Sequence, residues 1–284
     1  MWIKSCLLCY LLISHTGASA NEPAQRPLVM GVFPYLPTSK LELFYAPVAA
    51  RFSEILGVKV NLRSRPDFER FRERVGQQNY DLIFIQPFDY VRTAADSGYL
   101  PLARWVTSEN SQDTGELRAI FVVGPDSSAQ TLSDLSGKRV ATPDRDAAVS
   151  LLGSYALSKF QLDDDVEMRP LNNHLTCLKQ VQLKKAAACV TAWPPLKFFR
   201  KQTGINFRVL YETSHIPSSL YAVHKSMPAE QQERLRAEML SWNADNAEDR
   251  IYLHKGGWSR MYPASDSDYD SVREIWSILN PQNQ

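Results

Sequence analysis

KRVATPDRDAAVSLLGSYAL, residues Lys138–Leu157, reads as a strand, a polar turn and the start of a helix. RVAT is a short apolar run behind the Gly137-Lys138 punctuator. PDRD is turn chemistry, and AAVSLLGSYAL repeats its apolar residues at helical spacing. A strand that feeds a helix through a tight turn leaves the first helical N–H groups unpaired. With the macrodipole they form a natural cradle for an anion.

The same alternation runs outward in both directions. Upstream, LVMGVFPY is a buried-type strand that opens into the loop Tyr35-Leu36-Pro37-Thr38. Leu41–Leu56 has helical spacing and stops at Gly57, and VKVNLRS is a second strand. Pro66–Val75 places Phe68, Phe71 and Val75 on one helical face. YDLIFIQ is a third strand, and FDYVRTAADSG a helix with a Gly stop. Downstream, VEMRPL, AAACVTAW and FRVLYET are strands. They alternate with the helices NNHLTCLKQVQLKK, capped by Asn172 or Asn173, and PPLKFFRKQTG. LYAVHK is a returning strand, and MPAEQQERLRAEMLSW and SDYDSVREIWSIL are closing helices.

This rhythm predicts an α/β protein of two lobes, each a mainly parallel sheet flanked by helices, with a ligand cleft between them. Lobe 1 is assigned residues 26–113 plus 215–284, and lobe 2 residues 114–214.

Residues 1–20 are set apart as an export signal. MWIK carries one basic residue, CLLCYLLI is the apolar core, and Ala18-Ser19-Ala20 is a small-x-small cleavage site, with cleavage expected after Ala20. The whole chain of 284 residues has 32 Lys and Arg against 31 Asp and Glu. Losing Lys4 brings the mature product to formal neutrality, which gives no basic excess for nucleic acid or an anionic membrane. Export leaves Cys177 and Cys189 as an even pair in an oxidising compartment. A disulfide is expected, with two buried free thiols as the alternative. Beyond Cys6-Leu7-Leu8-Cys9, which falls inside the expected export signal, there is no CxxC, no HExxH and no metal-spaced His/Cys cluster, so no metal and no cofactor are expected.

GVFPYLP, YDLIFIQPFDYV, SDLSGKRVA, NNHLTCLKQV, HIPSSLYAVHKSMPAEQQERL and WSRMYPASDSDYDSVREI occur in an order and spacing that resembles the periplasmic phosphonate-binding proteins. These are the solute-binding components of phosphate, phosphite and phosphonate ABC importers, within the two-lobed type II periplasmic binding protein fold. The resemblance implies a monomeric, non-enzymatic periplasmic protein. It would close by a hinge on a small, oxyanion-bearing solute and hand it to an ABC transporter permease. In an alternative reading of the same fold, closure is reported to a membrane sensor kinase.

Carried over by position, the cleft is lined by Tyr35, Gln86, Phe88, the turn residues Arg145, Asp146 and Ala147, and His174. Trp193 is a candidate aromatic wall, and Ser218 and Tyr221 are candidates at the hinge return. Tyr35, Phe88 and Trp193 could equally pack as core, and His174 could serve only in a cap region.

Two departures from the family pattern matter. The family's turn carries Ser and Thr hydroxyls, whereas this chain has Asp144-Arg145-Asp146-Ala147-Ala148, with Ser150 the first hydroxyl. Asp144 or Asp146 is expected to cap the helix and repel an anion, with Arg145 either paired to them or facing the ligand. AAACVTAW lacks the acidic residue that family members often use for a ligand amino group. A third reading, an enzyme using Cys177 and His174 three residues apart on one helix face, lacks an orienting group and an oxyanion hole.

Overall fold

A computed structural model describes residues 26–109, 112–114 and 116–281. The segment read as an export signal, with Cys6, Cys9 and the expected cleavage site, lies outside the described residues.

The chain runs β1 (Leu28–Val32), α1 (Thr38–Leu56), β2 (Val60–Ser64), α2 (Phe68–Gly76) and β3 (Leu82–Ile85). The short turn α3 (Pro87–Asp89) continues as a π-helical turn, Tyr90–Ala94, before β4 (Tyr99–Glu109), β5 (Gln112–Thr114), β6 (Glu116–Leu117) and β7 (Ile120–Val123). Next come β8 (Arg139–Thr142), α4 (Ala148–Lys159), β9 (Glu167–Pro170), α5 (His174–Gln182), β10 (Ala188–Thr191) and α6 (Trp193–Thr203). The chain returns through β11 (Arg208–Glu212), β12 (Ile216–Pro217), β13 (Leu220–His224), α7 (Ala229–Ser241), β14 (Arg260–Pro263) and α8 (Asp270–Leu279).

Local chemistry sets these boundaries. Asp67 accepts the Arg70 N–H at 2.8 Å and Asn173 accepts the Thr176 N–H at 2.9 Å, starting α2 and α5 as N-caps. Gly57 and Gly204, at φ 68° and 71°, stop α1 and α6 in the left-handed conformation that costs glycine least.

Two sheets result. The first has seven strands in the order β14-β4-β13-β3-β1-β2, with β5 paired to β4; the second has five, β11-β7-β10-β8-β9. Each is parallel on one side and antiparallel on the other. β1 pairs in parallel with β2 and β3, and β8 with β9 and β10. The remaining pairings are antiparallel because their strands run into, or return from, the opposite sheet. The expected parallel character therefore holds for the βαβ halves, and each sheet as a whole is mixed.

β3, β7 and β10 are buried at every residue, as strands covered on both faces must be. A Cβ on Gly153 would lie 2.9 Å from Val190 Cγ1, so α4 rests directly on β10.

The sequence reading missed β4, the longest strand. Pro101 removes a ladder donor, and Arg104 and Trp105 blur its alternation. The proline sits where the pairing with β13 shifts register, a position that tolerates it. β14, which the sequence reading does not single out, is likewise held by pairing to β4.

The chain crosses between the sheets twice, and the crossings are joined. β6 pairs antiparallel with β12. Ala119 N–H donates to Thr213 Oγ1 at 3.0 Å, and Thr213 N–H donates to Ala119 O at 2.9 Å. In the second sheet's core, Cys177 of α5 and Cys189 of β10 form the expected disulfide, with Cα atoms 5.6 Å apart.

Candidate functional site

β8, β9 and β10 run parallel, so α4, α5 and α6, which follow them, present their N-termini at one edge of the second sheet. Such an edge favours negative charge and is where open α/β sheets bind ligands. Gln86, at the carboxyl end of β3 in the first sheet, meets this edge. Its Oε1 accepts the Ala148 N–H at 2.8 Å, and its Nε2 donates to Asp146 O at 2.7 Å and to Asp89 Oδ2 at 2.9 Å. The first amide of α4 is thus capped by a buried side chain from the opposite sheet. Ala147, at the N-cap position, supplies no side-chain bond.

The expectation that an aspartate caps α4 is corrected here. Asp144 Oδ1 accepts the Asp146 N–H at 2.9 Å within the turn. That turn directs the Asp146 carboxylate away from the helix and onto two arginines. Arg72 Nη2 lies 3.0 Å from Asp146 Oδ2, and Arg92 Nη1 lies 3.0 Å from Oδ1. Charge-assisted bonds to guanidinium outcompete neutral amides for a carboxylate. The suggested pairing of Arg145 with an aspartate does not form: Arg145 is exposed and, among the described residues, makes no hydrogen bond or ion pair.

Beneath this contact lies Asp89, wholly buried and 3.2 Å from Arg72 Nη1. Burial pushes the Asp89 carboxyl up to about 6, against the opposing pull of Arg72, Gln86 and Arg92. Partial burial also raises the Asp146 carboxyl, but Arg92 and Arg72 outweigh it and hold Asp146 below the usual carboxylate range.

His174 and Trp193 lie on the same edge of the second sheet as the α4 turn. His174 Nδ1 is 2.8 Å from Thr191 Oγ1 at the end of β10. Trp193 Nε1 donates to Glu212 Oε1 at 3.0 Å. Glu212 thereby brings to this edge an acidic group that AAACVTAW itself lacks. Phe88 and Tyr221 lie in the first sheet's core, 0% and 2% exposed. Ser218 Oγ donates to Trp105 O at 2.5 Å in the returning crossing. Tyr35 joins an aromatic cluster, its hydroxyl 2.9 Å from that of Tyr45 and 3.5 Å from His254 Nε2. The His254 ring stacks between Trp258 and Phe44, with centroids 3.7 and 4.6 Å away.

Sequence reasoning missed Arg72, Arg92, Asp89, Glu212 and His254. A signal exists for Arg72. It lies four residues after Phe68 and three before Val75, at the edge of the buried stripe of α2, whereas Arg70 and Arg74 are exposed. The others depend on tertiary contacts. Among the described residues, the hydroxyls of two candidates, Ser150 on the first turn of α4 and Tyr221 on β13, are buried with no hydrogen bond.

Burial alone pushes the His174 imidazole down to about 4 and that of His254 down to about 3. Both are neutral in the folded protein at neutral pH, while the unfolded chain protonates them at about pH 6.5. The unfolded state therefore binds more protons between about pH 6.5 and 4, and stability falls as pH falls through that window. Each histidine contributes up to about 1.4 kcal/mol per pH unit. Thermal melts from about pH 7.5 to 4 are expected to show this loss, and His174→Gln combined with His254→Gln to flatten it. Parallel profiles for the two proteins would contradict the assignment.

Among the described residues, no group of three or more His, Cys, Asp or Glu is placed to hold a metal ion, and no helix is long and apolar enough to cross a membrane.

A family model described as ABC transporter, phosphonate, periplasmic substrate-binding protein matches residues 30–269. No curated protein sequence matches significantly. Among solved structures, PhnD1 of Prochlorococcus marinus in complex with methylphosphonate is similar with a TM-score of 0.77 at 15% identity, over 89% of this chain and 98% of that one. A binding protein component of an ABC phosphonate transporter from Pseudomonas aeruginosa gives 0.73 at 14% identity, covering 89% and 87%. A Xanthomonas citri protein bound to ATP gives 0.67 at 16% identity, covering 87% and 94%. At such identities these structures speak for the fold alone.

Proposed function

The chain belongs to the family of periplasmic substrate-binding proteins of phosphonate ABC transporters, and from that premise we propose that it captures a small oxyanion-bearing solute between two lobes and delivers it to an importer's permease. The lobes are residues 26–113 plus 215–284 and residues 114–214, and the paired crossings β6 and β12 form the hinge. The observation that carries the reading is the bridge from Gln86 to Ala148 N–H and Asp146 O. It joins the carboxyl end of β3 to the N-terminus of α4 across the two sheets, where a closing cleft meets its ligand.

The remaining candidates have graded support. His174 and Trp193 flank the edge that carries the α4 turn, and the Glu212 carboxylate beside Trp193 is paired with Arg118 at 3.4 Å. The unpartnered hydroxyl of Ser150 is a donor on the first turn of α4. Tyr35, at the end of β1, lines the first lobe's side. The protein acts as a monomer after cleavage at Ala20 in the periplasm. Catalysis by Cys177 with His174 has no support, because the Cys177 sulfur is bonded to Cys189.

Calorimetric titration with methylphosphonate, phosphite, phosphate and sulfate tests the reading, with glycerol as the neutral control. Binding of at least one oxyanion is expected at about micromolar Kd, weakened about tenfold or more by Gln86→Ala, as loss of a polar contact at a desolvated site implies. Failure of all four oxyanions to bind would overturn it.

A further inference from the structure

Asp146 belongs to the turn before α4, yet its carboxylate is held entirely by the first sheet's helices. One guanidinium serves each oxygen: Arg72 at Oδ2 and Arg92 at Oδ1, both at 3.0 Å. Neither arginine is free to follow Asp146 elsewhere. Arg72 is fixed from behind by the buried Asp89 at 3.2 Å, and Arg92 lies over the ring of Trp276, 4.2 Å from its centroid. Their side chains are only 13% and 18% exposed. Two anchored forks that converge on one two-oxygen group are the geometry by which proteins hold carboxylate, phosphate and related anions.

The charges balance only while the two sheets are together. In contact, two guanidiniums face two carboxylates. Asp89 sits on α3 beside the arginines and stays with them, whereas Asp146 rides on the other unit. Separation therefore leaves two converging cations with one anion, half-buried and repelling one another.

We infer that Arg72 and Arg92 form an oxyanion-binding site that Asp146 fills as an internal ligand, so that a free phosphate-class oxyanion competes with Asp146 for it. This rests on the two-lobed reading above, since Asp146 must be able to leave. The carboxylate takes the place of the solute's oxygens, and a solute that binds the pair releases Asp146 to water. The arrangement discriminates by charge: a neutral solute does not replace a carboxylate between two guanidiniums.

The test compares wild type with Asp146→Ala, titrated with inorganic phosphate in chloride buffer. Asp146→Asn serves as a second variant that keeps the turn's size and hydrogen-bonding residue type, and circular dichroism verifies folding of each. Removal of the internal competitor is expected to tighten phosphate binding at least tenfold. Adding Arg92→Gln to Asp146→Ala is expected to abolish that gain. Equal affinity in wild type and both Asp146 variants, or a gain that survives Arg92→Gln, would overturn the inference.

The two proposals fail separately. If wild type binds none of the oxyanions but the Asp146 variants bind phosphate in an Arg92-dependent way, the arginine site stands and the solute-binding reading falls. If wild type binds an oxyanion and the Asp146 variants gain nothing, the reverse holds.

Discussion

Arg72→Gln is expected to lower the unfolding free energy by about 3 kcal/mol at about pH 8, the low end of the range for breaking a buried ion pair. Asp89 is wholly buried and receives Arg72 at 3.2 Å, Gln86 Nε2 at 2.9 Å and Arg92 at the longer distance of 3.8 Å. Removing Arg72 takes away the nearer of its two cations and strands a carboxylate in a low-dielectric site. Gln86 and Arg92 remain, which places the cost below that of complete isolation.

The pH dependence distinguishes this from a packing defect. The Asp89 carboxyl already lies at about 6 because burial outweighs its partners, and losing Arg72 raises it further. A carboxyl whose folded value is raised stabilises the fold at low pH and loses that contribution as pH rises through the raised value. The Arg72→Gln deficit should therefore be largest at about pH 8 and shrink on acidification toward about pH 5. Asp89→Asn in the same background, which removes the stranded charge, should recover most of the loss. Urea titrations of the three proteins check this. A deficit under about 1 kcal/mol, or one independent of pH, would contradict the role given to Arg72.

The second large effect concerns the disulfide. Cys177 and Cys189 are separated by 12 residues in sequence, and closing such a loop constrains the unfolded chain by about 3 kcal/mol. Both cysteines are fully buried in the second sheet's core among Ile120, Val122, Leu178 and Leu196. The bond also ties the first turn of α5 to β10, two residues before Thr191, which His174 meets at the strand's end. Cys177→Ala with Cys189→Ala is expected to lose about 2–5 kcal/mol and to loosen that edge of the candidate cleft. Comparing oxidised, reduced and substituted protein by urea denaturation measures it, with hydrogen exchange at Thr176 and Val190 reporting the local effect. Equal stability in all three would contradict a constraining bond.

Elements with a strong local period are legible in the sequence. α1 shows its buried stripe and its Gly57 stop, α2 its buried stripe and α5 its asparagine cap, and β3 and β10 read as strands. β4 is not legible, because its stability comes from pairing with β13 and β14, both remote in the chain, while its own composition includes Pro101 and Arg104. The mixed sheets follow from the same cause: strand direction after a crossing is set by where the chain returns.

The turn Asp144–Ala147 is legible as a turn with carboxylates in place of hydroxyls. Where the Asp146 carboxylate goes is not legible. Its partners Arg72 and Arg92 are 74 and 54 residues away, and no local rule ranks a distant guanidinium above the adjacent amides. Phe88 and Tyr221 illustrate the same limit in reverse. A position at a strand end permits either cleft or core, and packing decides.

The most direct measurement is small-angle scattering from wild type and Asp146→Ala, each recorded without solute and at saturation with the oxyanion that calorimetry identifies. Hinged capture predicts that the variant, lacking the carboxylate that bridges the two units in wild type, starts more open than wild type and contracts on binding. Superimposable profiles with and without solute in both proteins would contradict closure of two lobes around the ligand.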